Sequence, residues 1–201
     1  MIPSTPAASP DLPPRRVHIV HGFRATPESH WFPWLRGELA ARGSDARIIA
    51  LPAAEAPAAP AWHQTLAAAI PEVDSETWIV AHSLGVISVL RRLADLDPPW
   101  TLGGLIAVSG FTGRLAALPA LDAFLAEDAD LTEVTPRISH RHSIYSDNDM
   151  LVPRAASAAL AARLGSQTHV VPGAGHFLAA DGFTSLPAIT RILGVSPPPG
   201  P

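Results

Sequence analysis

An α/β fold is predicted for this chain: a compact, mostly parallel central sheet of about six strands, helices on both faces and no large lid domain. Three observations predict it. Short β-branched or apolar runs alternate along the sequence with amphipathic stretches of roughly ten to fifteen residues. Such alternation implies right-handed strand–helix–strand units, which place the strands in parallel. The length of 201 residues, 47% of them hydrophobic and 16% charged, suits one domain with a sizeable core.

The elements follow in order. Val17-His18-Ile19-Val20-His21 is a short buried strand closed by Gly22. Ser29 to Arg42 reads as a helix, because Trp31, Leu35 and Leu39 share a face and Gly43 is a natural stop. Ala46 to Leu51 is a second strand. After an Ala/Pro loop, Trp62, Leu66 and Ile70 mark the buried face of a second helix. Thr77-Trp78-Ile79-Val80-Ala81-His82 is the third strand, and the helix behind it ends near Asp95, ahead of Pro98-Pro99. Leu102 to Ser109, Ile138 to Ser146 and Thr168 to Val171 supply the remaining strands. Pro153 to Leu164 is a helix begun by proline at its first turn, and Gly182 to Leu193 closes the fold with Leu186, Ile189 and Leu193 inward. Phe111 to Pro136 is the least regular segment and is expected to form a short helical insertion that roofs the site. Residues 15–195 should form the single folded domain, with 1–14 and 196–201 as disordered proline-rich tails.

Composition removes several classes of function. A net charge of −4 indicates no basic face for nucleic acid. The absence of cysteine excludes disulfides, thiolate metal sites and a cysteine nucleophile. No apolar run reaches the roughly 18 residues that a membrane-spanning helix needs. The residues before Val17 lack the apolar core of a secretory signal, so the expectation is a cytoplasmic protein without membrane association. His140 and His142 share one face of a strand, but with no third ligand beside them no metal site is expected.

The third strand runs into Ala81-His82-Ser83-Leu84-Gly85, and a helical pattern starts immediately beyond it. The chain must therefore turn sharply at Ser83. Small-x-Ser-x-Gly at a strand-to-helix turn describes a nucleophile elbow, in which a strained serine is raised above the sheet edge. The alternative is a serine that only caps its helix. In parallel sheets, ligands sit at the carboxyl ends of the strands. After the Ile138–Ser146 strand comes Ser146-Asp147-Asn148-Asp149, and after the last strand comes Gly173-Ala174-Gly175-His176-Phe177. Ser, then Asp, then His, each behind its own strand, is the order of an α/β-hydrolase triad. A serine hydroxyl needs a base to take its proton, and the imidazole needs a carboxylate on its other nitrogen. The oxyanion would be held by the N–H groups of Leu84 and Phe23. His82, beside the serine, is expected to be a buried support rather than a base.

His21-Gly22-Phe23, the Ser83 elbow, Asp149-Met150-Leu151-Val152-Pro153 and the His176 loop together resemble α/β-hydrolase motifs over about Val17 to Leu193. His30-Trp31-Phe32-Pro33-Trp34-Leu35 is similar to the small, lidless branch that includes the retinoblastoma-binding serine hydrolase and its bacterial relatives. That resemblance implies a compact serine hydrolase with a Ser-His-Asp triad. It selects Asp149 as the acid, because the family pattern places the carboxylate just before x-x-Val-Pro; Asp147 is the runner-up. Trp31, Phe111 and Phe177 border the expected site and are candidates for substrate binding, with core packing as the alternative for each. The reading is a cofactor-free serine hydrolase that cleaves small carboxylic esters, or amides, through an acyl-enzyme. The rival from another class is the same fold used as a protein-binding module with little or no turnover.

Overall fold

The computed structural model describes residues 14–195, and the two proline-rich tails lie outside them except for Pro14. Pro14 belongs to the body: the Ser44 hydroxyl donates to its carbonyl at 2.7 Å. Six strands, β1 (Arg16–Val20), β2 (Asp45–Ile49), β3 (Thr77–His82), β4 (Leu102–Val108), β5 (Ile138–Ser146) and β6 (Gln167–Val171), form one sheet. Its order is β2-β1-β3-β4-β5-β6, and every pairing is parallel. The crossovers use α1 (Phe32–Ala40), α2 (Ala59–Ala69), α3 (Leu84–Ala94) and α4 (Arg154–Leu164), with α5 (Pro187–Ile192) closing the chain.

Alternation along the strands separates two cores. Trp78 and Val80 of β3 face the layer of α1 and α5, with Trp31, Phe32, Leu35 and Ile189. Ile79 and Ala81 face the layer of α2, α3 and α4, with Trp62, Leu66, Leu90 and Leu160. Because both faces are covered, β3 and β4 are buried at every residue. Close packing at the centre depends on Gly104, where a Cβ would lie 2.4 Å from the Trp78 ring. Trp78 in turn stacks on His140, with centroids 5.5 Å apart and planes 14° apart.

Strand ends shift by one or two residues, and three elements differ more than that from the sequence reading, each for a local reason. α1 starts at Phe32 and not Ser29. The Ser29 hydroxyl is occupied by the Thr26 N–H at 2.9 Å, His30 has φ +55°, and Pro33 then sets the first turn. α5 starts at Pro187 and not Gly182, because Gly182 has φ +90° at the end of a 3-10 turn and Leu186, at φ −140°, is not yet helical ahead of the proline. The segment after Phe111 contains no α-helix, only 3-10 turns at Pro119–Leu121 and Thr135–Arg137. Asp128 and Asp130 accept hydrogen bonds from nearby backbone N–H groups, which competes with helix formation.

That segment packs its Leu115, Leu121, Phe124 and Leu125 into the core on the α2/α3 face. Its Phe124 packs edge-on against Trp62 at 5.3 Å. Its carbonyls at Phe124, Glu127 and Ala129 are held by Arg91 and Arg163, in the last turns of α3 and α4. Residues 124–129 of the insertion are thus tied to the C-terminal turns of α3 and α4.

β5 and β6 are also joined through side chains, with His142 Nδ1 and His169 Nε2 3.1 Å apart. Burial, then the neighbouring His169 and His140, pushes the His142 imidazole down from 6.5 to about 4. A histidine depressed in this way keeps its full contribution to stability above pH 6.5, where both states are neutral. It loses that contribution as pH falls toward 4, because only the unfolded chain binds the proton. The expected loss is about 2–3 kcal/mol across that window. Urea titrations at pH 7 and pH 4.5 should show a clearly smaller decline for His142→Gln than for the parent chain; equal declines would remove His142 as the cause. Among the described residues, no group of three or more His, Cys, Asp or Glu is placed to hold a metal ion, and no helix is long and apolar enough to cross a membrane.

Candidate active site

The chain order places β1 between β2 and β3, so successive crossovers leave in opposite directions at the β1/β3 boundary. Crevices form at the carboxyl ends of strands at such a reversal. The residues that emerge there are His21-Gly22-Phe23 after β1 and Ser83 after β3. Ser83 has φ +54° and ψ −125°, a conformation that costs a non-glycine residue on the order of 1–3 kcal/mol. Its side chain makes no cap hydrogen bond to α3, so it is not a helix-capping serine. Two glycines make room for the turn. A Cβ on Gly85 would lie 2.5 Å from the His21 carbonyl oxygen, and one on Gly22 would lie 2.8 Å from the Ser83 Cβ.

Ser83 Oγ lies 3.0 Å from His176 Nε2, and His176 Nδ1 lies 2.7 Å from Asp149 Oδ2. The serine hydroxyl donates to Nε2 while the Nδ1–H donates to the carboxylate, which defines the tautomer of the ring. The other oxygen of Asp149 accepts the Leu151 and Val152 N–H groups, both at 2.9 Å, and the Ser109 hydroxyl donates to Oδ2 at 3.0 Å. Burial acts to raise the Asp149 pKa. The hydrogen bond and charge of His176 and the two backbone N–H groups outweigh it and hold the carboxyl below its usual 3.8. The three residues are 4%, 6% and 8% exposed, so little of the row is open to water. A cleft of about 520 Å³ lined by Arg15, Trp78 and His140 lies at the opposite, amino end of the strands, away from this row.

A serine at a strained elbow, joined through histidine to a carboxylate, is an acyl-transfer constellation, and similarity to known proteins points the same way. A family model described as "Serine hydrolase" matches residues 17–195. The chain belongs to the serine hydrolase family. YdeN of Bacillus subtilis (strain 168), a hydrolase by name, is 38% identical over 179 residues, which are 89% of this chain and 94% of that one. The crystal structure of the ydeN product has a TM-score of 0.86 to this fold, covering 90% of this chain and 97% of that one. Est1E from Butyrivibrio proteoclasticus, at 17% identity, has a TM-score of 0.64 and covers 92% and 86% of the two chains, a likeness of fold alone.

In this serine hydrolase the other expected site residues divide into two groups. Leu84 opens α3 directly behind the serine, and Phe23 follows Gly22, where an added Cβ would lie 2.8 Å from Ser83 Cβ and 3.3 Å from Leu84 N. Both N–H groups are therefore carried by segments beside Ser83. Trp31, Phe111 and Phe177 are fully buried, Trp31 and Phe177 in the α1/α5 core and Phe111 in the opposite one. A side chain without exposed surface cannot meet a ligand while its surroundings stay closed, so in this structure all three are core residues. Their aromatic surface is taken up by packing, as where Phe177 meets Phe183 at 5.1 Å.

His82 is buried, and its Nε2–H donates to the His176 carbonyl at 2.9 Å. Burial above all, with His176 also nearby, pushes its pKa well below 6.5, so the ring is a neutral strut. His21 plays a related part that the sequence reading did not assign. Its Nδ1–H donates to the Gly22 carbonyl at 2.9 Å and its Nε2 accepts the Leu51 N–H at 3.0 Å, which ties the loop after β1 to the end of β2. Ser109, with φ +45°, was also missed as a partner of Asp149. The signal for Ser109 was present: it follows β4 directly, at the same sheet edge as the other site residues. Asp181 gave no such signal, because its role as acceptor of the His176 N–H depends on how the loop folds back.

Proposed function

We propose that the chain hydrolyses small carboxylic esters through an acyl-enzyme. Ser83 Oγ attacks the ester carbonyl carbon while His176 Nε2 takes the hydroxyl proton. Asp149 keeps the ring in the tautomer that leaves Nε2 free and stabilises the imidazolium that forms. The oxyanion is held by the Phe23 and Leu84 N–H groups. Its collapse breaks the C–O bond, and the leaving alcohol takes the proton from His176. Water then repeats the cycle with His176 as base: hydroxide adds to the acyl carbon, the proton passes through Nε2 to Ser83, and the carboxylic acid departs.

The observation that carries this reading is the unbroken row from Ser83 Oγ through His176 to Asp149, at 3.0 and 2.7 Å. A scaffold that only bound a partner would gain nothing from holding Ser83 in a strained conformation. The preference for small esters rests on the compact fold, which adds no separate lid domain among the described residues, and on how little of the Ser83 row is exposed.

A fluorophosphonate probe should label the wild type on one serine and leave Ser83→Ala unlabelled, and p-nitrophenyl acetate should be turned over only by the former. No labelling of the folded wild type, or equal labelling of both, would overturn the assignment.

A further inference from the structure

The loop carrying His176 is held by a set of contacts separate from the reacting groups. Four successive backbone N–H groups each donate to a side chain. Gly173 N–H donates to Asp147 Oδ1 at 2.8 Å, Ala174 N–H to Ser146 Oγ at 3.0 Å and Gly175 N–H to Asn148 Oδ1 at 2.8 Å. The fourth, His176 N–H, donates to Asp181 Oδ2 at 3.0 Å. Three of the four acceptors are consecutive residues that lead directly into Asp149. The acceptors are themselves linked, since the buried Ser146 hydroxyl donates to Asn148 Oδ1 at 2.6 Å.

The glycines make this geometry possible. Gly173 and Gly175 have φ of +69° and +54°, turning alternate peptide groups so that their N–H groups face the β5 loop. A Cβ on Gly175 would also strike the Asp181 carboxylate at 2.7 Å. Counting the ring bonds and the bond from His82 to its carbonyl, His176 has a partner at its N–H, its C=O and both ring nitrogens.

The geometry points to Asp147 and Asn148 as positioning residues, which lock the histidine loop onto the acid loop so that the His176 imidazole stays between Asp149 and Ser83. This rests on the reading of those three residues as the reacting groups. Asp147 acts as a hydrogen-bond acceptor and not as the acid of the triad. Its neutral isostere should therefore serve nearly as well, whereas a residue without an acceptor should not. A misplaced base slows the chemical step without weakening substrate binding, so the defect belongs in kcat.

The test compares Asp147→Ala, the double variant Asp147→Ala/Asn148→Ala and Asp147→Asn with the wild type. The double variant should lose about 10- to 100-fold in kcat on p-nitrophenyl acetate, with KM within about twofold. Asp147→Asn should recover most of the rate lost in Asp147→Ala. Two readouts need no turnover. Amide exchange at residues 173–175 should speed up by about tenfold in the double variant. The wild type should show a downfield proton resonance from His176 Nδ1–H, and in the double variant it should broaden or vanish. Unchanged kcat, exchange and resonance in a folded double variant would overturn the proposal, as would an Asp147→Asn variant as impaired as Asp147→Ala. Should the wild type fail to react with fluorophosphonate, the hydrolase reading falls, and the exchange and resonance measurements still decide whether these residues hold His176 in place.

Discussion

Replacing Asp149 by asparagine should lower kcat for ester hydrolysis by about 10⁴-fold, as expected when the base is left in the wrong tautomer. The site leaves asparagine no acceptable orientation. Asp149 Oδ1 receives the Leu151 and Val152 N–H groups, and Oδ2 receives His176 Nδ1–H and the Ser109 hydroxyl. If the new amide turns its NH₂ toward the loop, two backbone donors lose their acceptor, at roughly 1–3 kcal/mol for each buried group. If it turns the NH₂ toward His176, the ring must accept at Nδ1 and carry its proton on Nε2, where it can no longer take one from Ser83.

The same substitution has a consequence for acid stability. A carboxyl held below its usual 3.8 contributes stability that is fully present above that value and lost as pH falls through the lowered folded value. Denaturation below pH 4 should therefore be less steep for Asp149→Asn, once both are compared with their own stability at pH 7. Stopped assays of Asp149→Asn and Asp147→Asn decide the assignment directly. If Asp149→Asn kept above about a tenth of the wild-type rate while Asp147→Asn fell by 10³-fold, the acid would be Asp147.

The second large effect falls on stability. Gly85→Ala should cost at least about 3 kcal/mol, because the added methyl meets fixed backbone: the His21 carbonyl oxygen at 2.5 Å and that of Val20 at 3.0 Å. Relief would require β1 and α3 to separate at the elbow, disturbing Ser83 as well. For a domain of this size the thermal midpoint should drop by about 6–12 °C. Gly37→Ala is the matched control, since a Cβ there meets nothing within 4 Å on the interior of α1. It should raise stability by about 0.5–1 kcal/mol. Calorimetry of the two variants checks the pair, and equal midpoints would show that the elbow tolerates more room than its geometry implies.

The strands and most helices were legible because their signals are local. β3 is apolar from Trp78 to Ala81 and buried on both faces, and the four-residue spacing of Trp62, Leu66 and Ile70 survives unchanged as a buried stripe. Element ends were less legible. The start of α1 turned on the hydrogen bond between Thr26 N–H and the Ser29 hydroxyl, which pattern does not report. The insertion after Phe111 carried helical spacing without becoming a helix, since its apolar side chains were claimed by the α2/α3 core and its carbonyls by Arg91 and Arg163. Trp31, Phe111 and Phe177 lie near the site in sequence, and only the packing shows that they face inward.

By itself, the order of residues determined the parallel sheet, the sharp turn at Ser83 and the small set of polar residues behind the strands, because periodicity and turn chemistry act over a few neighbours. Turn chemistry alone left Asp147 and Asp149 both open, and only the family resemblance favoured Asp149. The tertiary structure shows Asp149 meeting His176, across 27 residues, and that ring reaching Ser83, across 93. It also decided that Asp147 and Asn148 hold the histidine loop. Those contacts depend on β3, β5 and β6 delivering their loops to one edge of the sheet, and spacing along the chain carries no record of distances set by strand order.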